Sequence, residues 1–262
     1  MNKEKKQWLI YVGRVGYAAK SVIYAVLGFL IVYSAYYSTG VEHISKDVVF
    51  SKILGTPFGY ISLTALIIGL ICYVAWRLIQ GVLNPKNLTN KPKDLILRFF
   101  YFISAMLYCS VAYTAYSALT WTSKSGKGQS LSAKLMGHEW GIWLLGALGL
   151  IVICFGFIQL KHAIKIDFMD KFDSSKMSGG EIKATKKAGR YGFAARSLIY
   201  WIVGYFIIYA AYSKNPDEAG GLGKALSTLL EQPFGVYLLG TMGLGMACFS
   251  IFCALEARYR TI

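Results

Sequence analysis

Acidic residues are scarce in this chain: 13 Asp and Glu stand against 28 Lys and Arg among 262 residues, a net charge of +15. Proline occurs 5 times, histidine 3 times, and the 5 cysteines show no CxxC spacing. Each scarcity excludes something. Cys72, Cys109, Cys154, Cys248 and Cys253 all fall inside apolar runs, so they imply neither a disulfide framework nor a metal site. His43, His138 and His162 are scattered along the chain and form no ligand pair or catalytic dyad. Asp167, Asp170 and Asp173 recur at three-residue spacing but lack the glycine and terminal glutamate of a calcium loop. No nucleotide-binding loop and no Ser-x-x-Lys is present. A catalytic site needs convergent acid, base or metal groups; none is visible, so the expectation is a non-enzyme without cofactor.

What the chain does have is apolar sequence, 55% of its residues, with the charges segregated between the runs. The runs cover roughly 17–37, 58–79, 99–121, 139–160, 193–213 and 234–255, each near the ~20 residues that cross a bilayer core. Helices of a soluble bundle would show a polar face, and these are apolar nearly all round. Basic residues concentrate at the N-terminus, between Arg77 and Arg98, between Lys161 and Arg196, and at the C-terminus. The positive-inside rule then predicts a multi-pass membrane protein with both termini cytoplasmic. Topology and anionic lipid headgroups account for the +15 charge, and nucleic acid is not an expected partner. The mid-membrane stretches read as free of ionisable residues, whereas transport pathways and proton relays carry them.

The runs belong to an internal repeat. Residues 13–80 return as 189–256, shifted by 176 without a gap, so that Gly13-Arg14 matches Gly189-Arg190 and Pro57-Phe58-Gly59 matches Pro233-Phe234-Gly235. A fainter middle copy places Arg98 on Arg14, Tyr108 on Tyr24, and Trp140-Gly141 on Phe58-Gly59. The expected repeat units are 13–84, 97–165 and 188–262, within one membrane domain spanning 1–262. The expected fold is all-α: six transmembrane helices as three tandem hairpins. No unit is inverted, which predicts pseudo-threefold symmetry about an axis near the membrane normal. The internal position of the 193–213 copy also argues that the first run is a retained helix and not a signal peptide.

Small residues recur on one face of the first helix of each outer copy. Ala18, Ser21, Gly28 and Ala35 return as Ala194, Ser197, Gly204 and Ala211, the composition of a close helix seam in lipid. Gly146, Gly149, Gly240, Gly243 and Gly245 supply comparable positions on the second helices. Pro57 and Pro233 suit first helical turns. Phe50–Leu54, Leu131–Leu135 and Leu226–Leu230 suggest short amphipathic helices on the outer face. The segment from Asp167 to Phe172 reads as another on the cytoplasmic side, ended by Gly179-Gly180. Asn87-Leu88-Thr89 fits a glycosylation pattern, which its cytoplasmic placement makes fortuitous.

Arg14, Arg98 and Arg190 stand just before the first helices, with Lys20 and Arg196 deeper. These five are the candidates for binding an anion or a lipid headgroup. The bland expectation is headgroup contact by snorkelling; the sharper one is a cationic ring of the three arginines about the axis. Gln80, His162 and Glu256 form a second equivalent set at the ends of the second helices, with Glu256 expected to pair with Arg258 or an arginine of a neighbouring repeat.

Gly192-x-x-Ala195-Arg196, Gly204, Gly221-Leu222, Ala225-Leu226, Pro233-Phe234-Gly235, Gly243-Leu244 and Ala257-Arg258-Tyr259 together resemble a family of bacterial integral membrane proteins known as a domain of unknown function, built from three tandem two-helix units. In the first copy Lys20 replaces the arginine; in the middle copy Phe100 and Ala112 replace glycines. The resemblance implies the fold and a bacterial inner-membrane location, and no activity. The leading expectation is a compact scaffold that binds membrane lipids or a membrane-protein partner. The alternative is a channel or transporter for a small solute or anion, for which parallel repeats have precedent.

Overall fold

The computed structural model describes residues 3–37, 50–51, 53–82, 92–120, 136–215 and 221–260. Among them lie seven α-helices: α1 (Lys3–Tyr37), α2 (Gly59–Val82), α3 (Pro92–Leu119), α4 (Glu139–Lys165), α5 (Gly179–Ser213), α6 (Gly221–Leu230) and α7 (Gly235–Tyr259). All except the 10-residue α6 are long and apolar enough to cross a membrane. The fold is the expected all-α one, three tandem hairpins (α1–α2, α3–α4, α5–α7) with pseudo-threefold symmetry.

The packing closes the hairpins into a ring. α2 lies on α3, α4 on α5, and α7 returns onto α1, so the second span of each unit meets the first span of the next. Glycine sets how closely these pairs approach. A Cβ on Gly28 would lie 2.8 Å from the Gly243 carbonyl oxygen, and one on Gly243 would lie 3.0 Å from that of Gly28. Gly204 and Gly149 face each other in the same reciprocal way, at 2.9 Å in both directions. At the third junction the equivalent residues are Ile67 and Ala112. The middle unit departs again within its hairpin. Gly16 abuts the Tyr73 backbone and Gly192 the Phe249 backbone, each with a Cβ distance of 2.7 Å; in α3 and α4 the equivalent pair is Phe100 and Phe155, whose ring centroids are 4.9 Å apart. Two rings where the other hairpins have a glycine and one ring hold α3 and α4 apart, and their backbones make no extensive contact among the described residues.

Ser21 and Ser250 add a polar clasp between α1 and α7, each hydroxyl donating to the other residue's carbonyl oxygen at 2.8 Å. Of the expected seam residues, Ser197, Ala35 and Ala211 are buried. Ala18 is exposed and so lies outside the seam, while Ala194 is half-buried against the cluster around Phe193 and Phe249.

Three local expectations change. Gly179-Gly180 begin a helix instead of ending one: Ser178 accepts from the Glu181 amide at 3.2 Å while the Glu181 carboxylate accepts from the Ser178 amide at 2.8 Å, a capping box that starts α5. The stretch before it forms two 3-10 turns, Asp167–Lys171 and Ser174–Lys176, not an amphipathic helix. Pro57 and Pro233 sit in the turns just ahead of α2 and α7 and not in their first turns. The expected short helices form at α6 and at residues 50–51 and 53–54, where the equivalent residues Leu226 and Phe50 are both buried. Leu131–Leu135, His43 and Asn87–Thr89 fall outside the described residues.

The two halves of the bundle differ in chemistry. Towards the α6 end the core is aliphatic, with Leu63, Leu66, Leu70 and Leu30 in one cluster and Ile31, Leu239, Met242 and Met246 in another. Towards the end that carries the start of α1 and the end of α7, hereafter the terminal end, it is aromatic: Tyr17, Tyr73 and Trp76 in one cluster, Phe168, Phe193, Phe249 and Phe252 in another.

Candidate functional site

Cations enter the aromatic half. Lys20 lies on α1 roughly 14 Å from Tyr11, where the first span begins, at 1.5 Å per residue, and its side chain is buried. Its Nζ stands 5.3 Å from the ring centroid of Phe249, 5.4 Å from Tyr73, 5.9 Å from Tyr108, and 6.0 Å from both Tyr17 and Tyr24. No carboxylate or hydrogen-bond acceptor is paired with this ammonium among the described residues. Arg196, the repeat equivalent of Lys20, lies 4.3 Å over Phe249 and 5.5 Å over Tyr24, and donates to the Tyr200 hydroxyl at 2.6 Å. Lys20 and Arg196 thus share two rings. Tyr24, Tyr108 and Tyr200 are themselves repeat-equivalent and surround the pair, which places it close to the pseudo-threefold axis.

Two further arginines extend the group towards the terminal end. Arg77 on α2 donates through Nε and Nη2 to the Tyr73 hydroxyl at 2.9 and 2.5 Å, and through Nη1 to Gln80 Oε1 at 3.0 Å. Arg260, at the C-cap of α7, stacks 4.7 Å over Tyr17 and forms an ion pair with Glu256. Lys20, Arg77, Arg196 and Arg260 are consequently strung through Tyr17, Tyr73, Tyr24 and Phe249, with Glu256 the only carboxylate paired to any of them among the described residues. Beneath them Lys171 feels the same field. Burial first, and then the Arg260 and Arg77 charges, push its ammonium down to about 8, with Asp167 opposing.

The arginine ring does not form. Arg98 Nε donates to the Gly81 carbonyl at 2.9 Å and Arg190 Nε to the Ala163 carbonyl at 3.4 Å, on equivalent positions at the ends of α2 and α4. The last carbonyls of a helix have no partner within it, and these guanidinium groups supply donors to them instead of meeting at the axis. Arg14 and Arg190 are exposed. Lys20 and Arg196 do come together, but turned inward among aromatic rings and not snorkelling outward. Lys20, Arg77 and Arg196 are ionisable residues within spans, set towards the terminal end and away from the aliphatic half of the bundle. Arg77 was visible in the sequence inside an apolar run; Arg260 carried no signal, since Asn84 and Ile166 occupy its equivalents.

The second equivalent set pairs locally. Gln80 accepts from Arg77, His162 Nδ1 lies 2.5 Å from Asp167 Oδ1, and Glu256 pairs with Arg260, one turn on, not with Arg258. Cys154 is exposed while Cys72 and Cys248 are half-buried, on three different helices. No group of His, Cys, Asp and Glu suited to a metal occurs among the described residues. Two shallow apolar grooves flank α5, one against α6 and one against α7. Neither is lined by the cations.

The family model for Domain of Unknown Function (DUF1206) matches the chain three times, over 15–84, 99–165 and 191–260. A Bacillus subtilis (strain 168) relative, "Uncharacterized protein YxxB", is 30% identical over 263 residues, covering 99% of this chain and 94% of its own length. No solved structure matches. The names carry no activity, enzymatic or otherwise. With six apolar spans in three matched units, the chain belongs to the DUF1206 family and is a multi-pass integral membrane protein.

Proposed function

We propose that this protein binds a small anion inside the terminal half of its bundle, between Lys20 and Arg196, taking it from the cytoplasmic side of the bacterial inner membrane. The observation that carries the reading is the charge imbalance among the described residues: Lys20, Arg77, Arg196 and Arg260 in the aromatic half, with one carboxylate paired to them. Removing an ion from water costs several kcal/mol even after relaxation. A ring face returns ~0.5 to 2 kcal/mol, falling off towards a separation of about 6 Å, where most of the Lys20 contacts lie. An anion seated between the ammonium and the Arg196 guanidinium would supply the missing acceptor. Intramembrane ionisable residues mark ligand or ion sites by default.

The aliphatic clusters at the α6 end favour a carrier or receptor over an open pore, because a pore needs a continuous polar path. The scaffold reading drew on mid-membrane stretches without charge; Lys20 and Arg196, turned inward among aromatic rings, support an interior binding site over it. Exposed Arg14 and Arg190 suit lipid headgroups at the cytoplasmic surface, an accessory role. Uptake of labelled chloride, phosphate and sulfate into proteoliposomes tests the proposal. The wild type is expected to take up at least one of them and the Lys20→Met/Arg196→Met double variant none, with both proteins monodisperse. Uptake unchanged in the double variant, or no uptake of any anion by the wild type, overturns the carrier reading.

A further inference from the structure

Among the described residues, four buried hydrogen-bond donors near the terminal end have no partner: the Tyr17 hydroxyl, Trp76 Nε1, Gln80 Nε2 and Arg260 Nε. Tyr17, Trp76 and Gln80 are each only 1% exposed. Buried polar groups are paired in the large majority of cases, so four unmet donors in one neighbourhood need an explanation. The neighbourhood is shared. Tyr17 and Trp76 pack in one cluster with Tyr73, Arg260 lies over the Tyr17 ring, and Gln80 is one turn along α2 from Trp76. Arg77 fixes the Gln80 amide by occupying its oxygen, which leaves the NH2 group for another partner.

We propose that these residues form a site for a tetrahedral oxyanion of the phosphate class, separate from the Lys20–Arg196 pair. Tyr17, Trp76, Gln80 and Arg260 would hold the oxygens, with Arg77 behind them. The unmet groups select the ligand chemistry. All four atoms lie on donor groups, and the carboxylate beside them, Glu256, is already paired with Arg260. A ligand that only accepts, through several oxygens on one centre, matches this set; a metal cation or an ammonium does not. Two guanidinium groups with one carboxylate leave positive charge, and hydrogen bonds from cations to phosphate oxygens are among the stronger kinds. Lys171 lies in the connecting turn within reach of the Arg260 and Arg77 charges, which add to burial in pushing its ammonium down.

The charge argument rests on the anion-binding reading, while the location rests on the four donors alone. Titration of inorganic phosphate into the purified full chain in detergent, read by calorimetry and tryptophan fluorescence, tests it. Phosphate is expected to bind, Tyr17→Phe to weaken it about tenfold or more, as expected for a bond to a charged ligand, and Trp76→Phe to abolish the fluorescence response. Tyr113→Phe, at an exposed ring, should bind as the wild type does. Phosphatidic acid in mixed micelles separates the sources: displacement of phosphate identifies a lipid headgroup as the ligand, and no displacement a free anion. Phosphate binding that survives Tyr17→Phe and Trp76→Phe but is lost in Lys20→Met would overturn this site while leaving the proposed function standing. Absence of phosphate binding, with chloride still bound, would do the same.

Discussion

Lys20 holds an ammonium among five rings with no carboxylate beside it among the described residues. In detergent without a binding anion, Lys20→Met should therefore stabilise the protein. Replacing buried ionic groups by apolar ones of similar volume has gained of order 1 to 4 kcal/mol elsewhere. The same variant should lose any stabilisation by added anions. Thermal melts with and without chloride measure both, and a Met variant less stable than the wild type in anion-free buffer would show that the rings alone satisfy the charge. Lys171 gives a second test at this scale. Its ammonium titrates at about 8 in the folded chain against 10.5 in the unfolded one. Between those values the unfolded chain still holds a proton that the folded chain has released, so stability rises with pH across that window; below it the cost is constant. Lys171→Met should flatten the rise in denaturation midpoint between about pH 8 and 10.5. An unchanged slope would assign it to another group.

Among the helices, the two glycine junctions bring the backbones of neighbouring units into direct approach. Gly204→Leu would drive a side chain into the Gly149 carbonyl, 2.9 Å from an added Cβ, and into Ile153 at 2.7 Å. Overpacking typically costs ~1 to 3 kcal/mol, and backbone on the receiving side leaves little room to yield. Leu198→Ile changes an exposed residue at constant volume and should leave the melting temperature within experimental scatter of wild type; equal melting of the two variants would remove the seam from the account. These junctions were legible in the sequence because Gly28 and Gly204 recur in register. The cation cluster was only half legible for the opposite reason. Lys20 and Arg196 share a repeat position, but Arg77 has Gln159 and Cys253 as its equivalents and Arg260 has Asn84 and Ile166. Reading by symmetry favours what the copies share, and these arginines lie where the copies differ. Inward or outward direction was hidden too, since a helix apolar all round gives a charge no polar face that marks its side.

For the whole molecule, ring closure of α7 on α1 gives the three units one axis, and the aromatic and aliphatic halves give that axis a direction. The proposed orientation puts the cationic half on the cytoplasmic side. Reporter fusions at Thr261 and Ser125 should report cytoplasmic and external locations respectively, and the reverse pattern would invert the side from which an anion enters. The central question is whether an anion occupies the interior of the bundle. Anomalous diffraction from crystals of the full chain grown in bromide measures this directly. It should show a peak within hydrogen-bond reach of the Lys20 ammonium and the Arg196 guanidinium; peaks confined to the exposed Arg14 and Arg190, with none between Lys20 and Arg196, would contradict it.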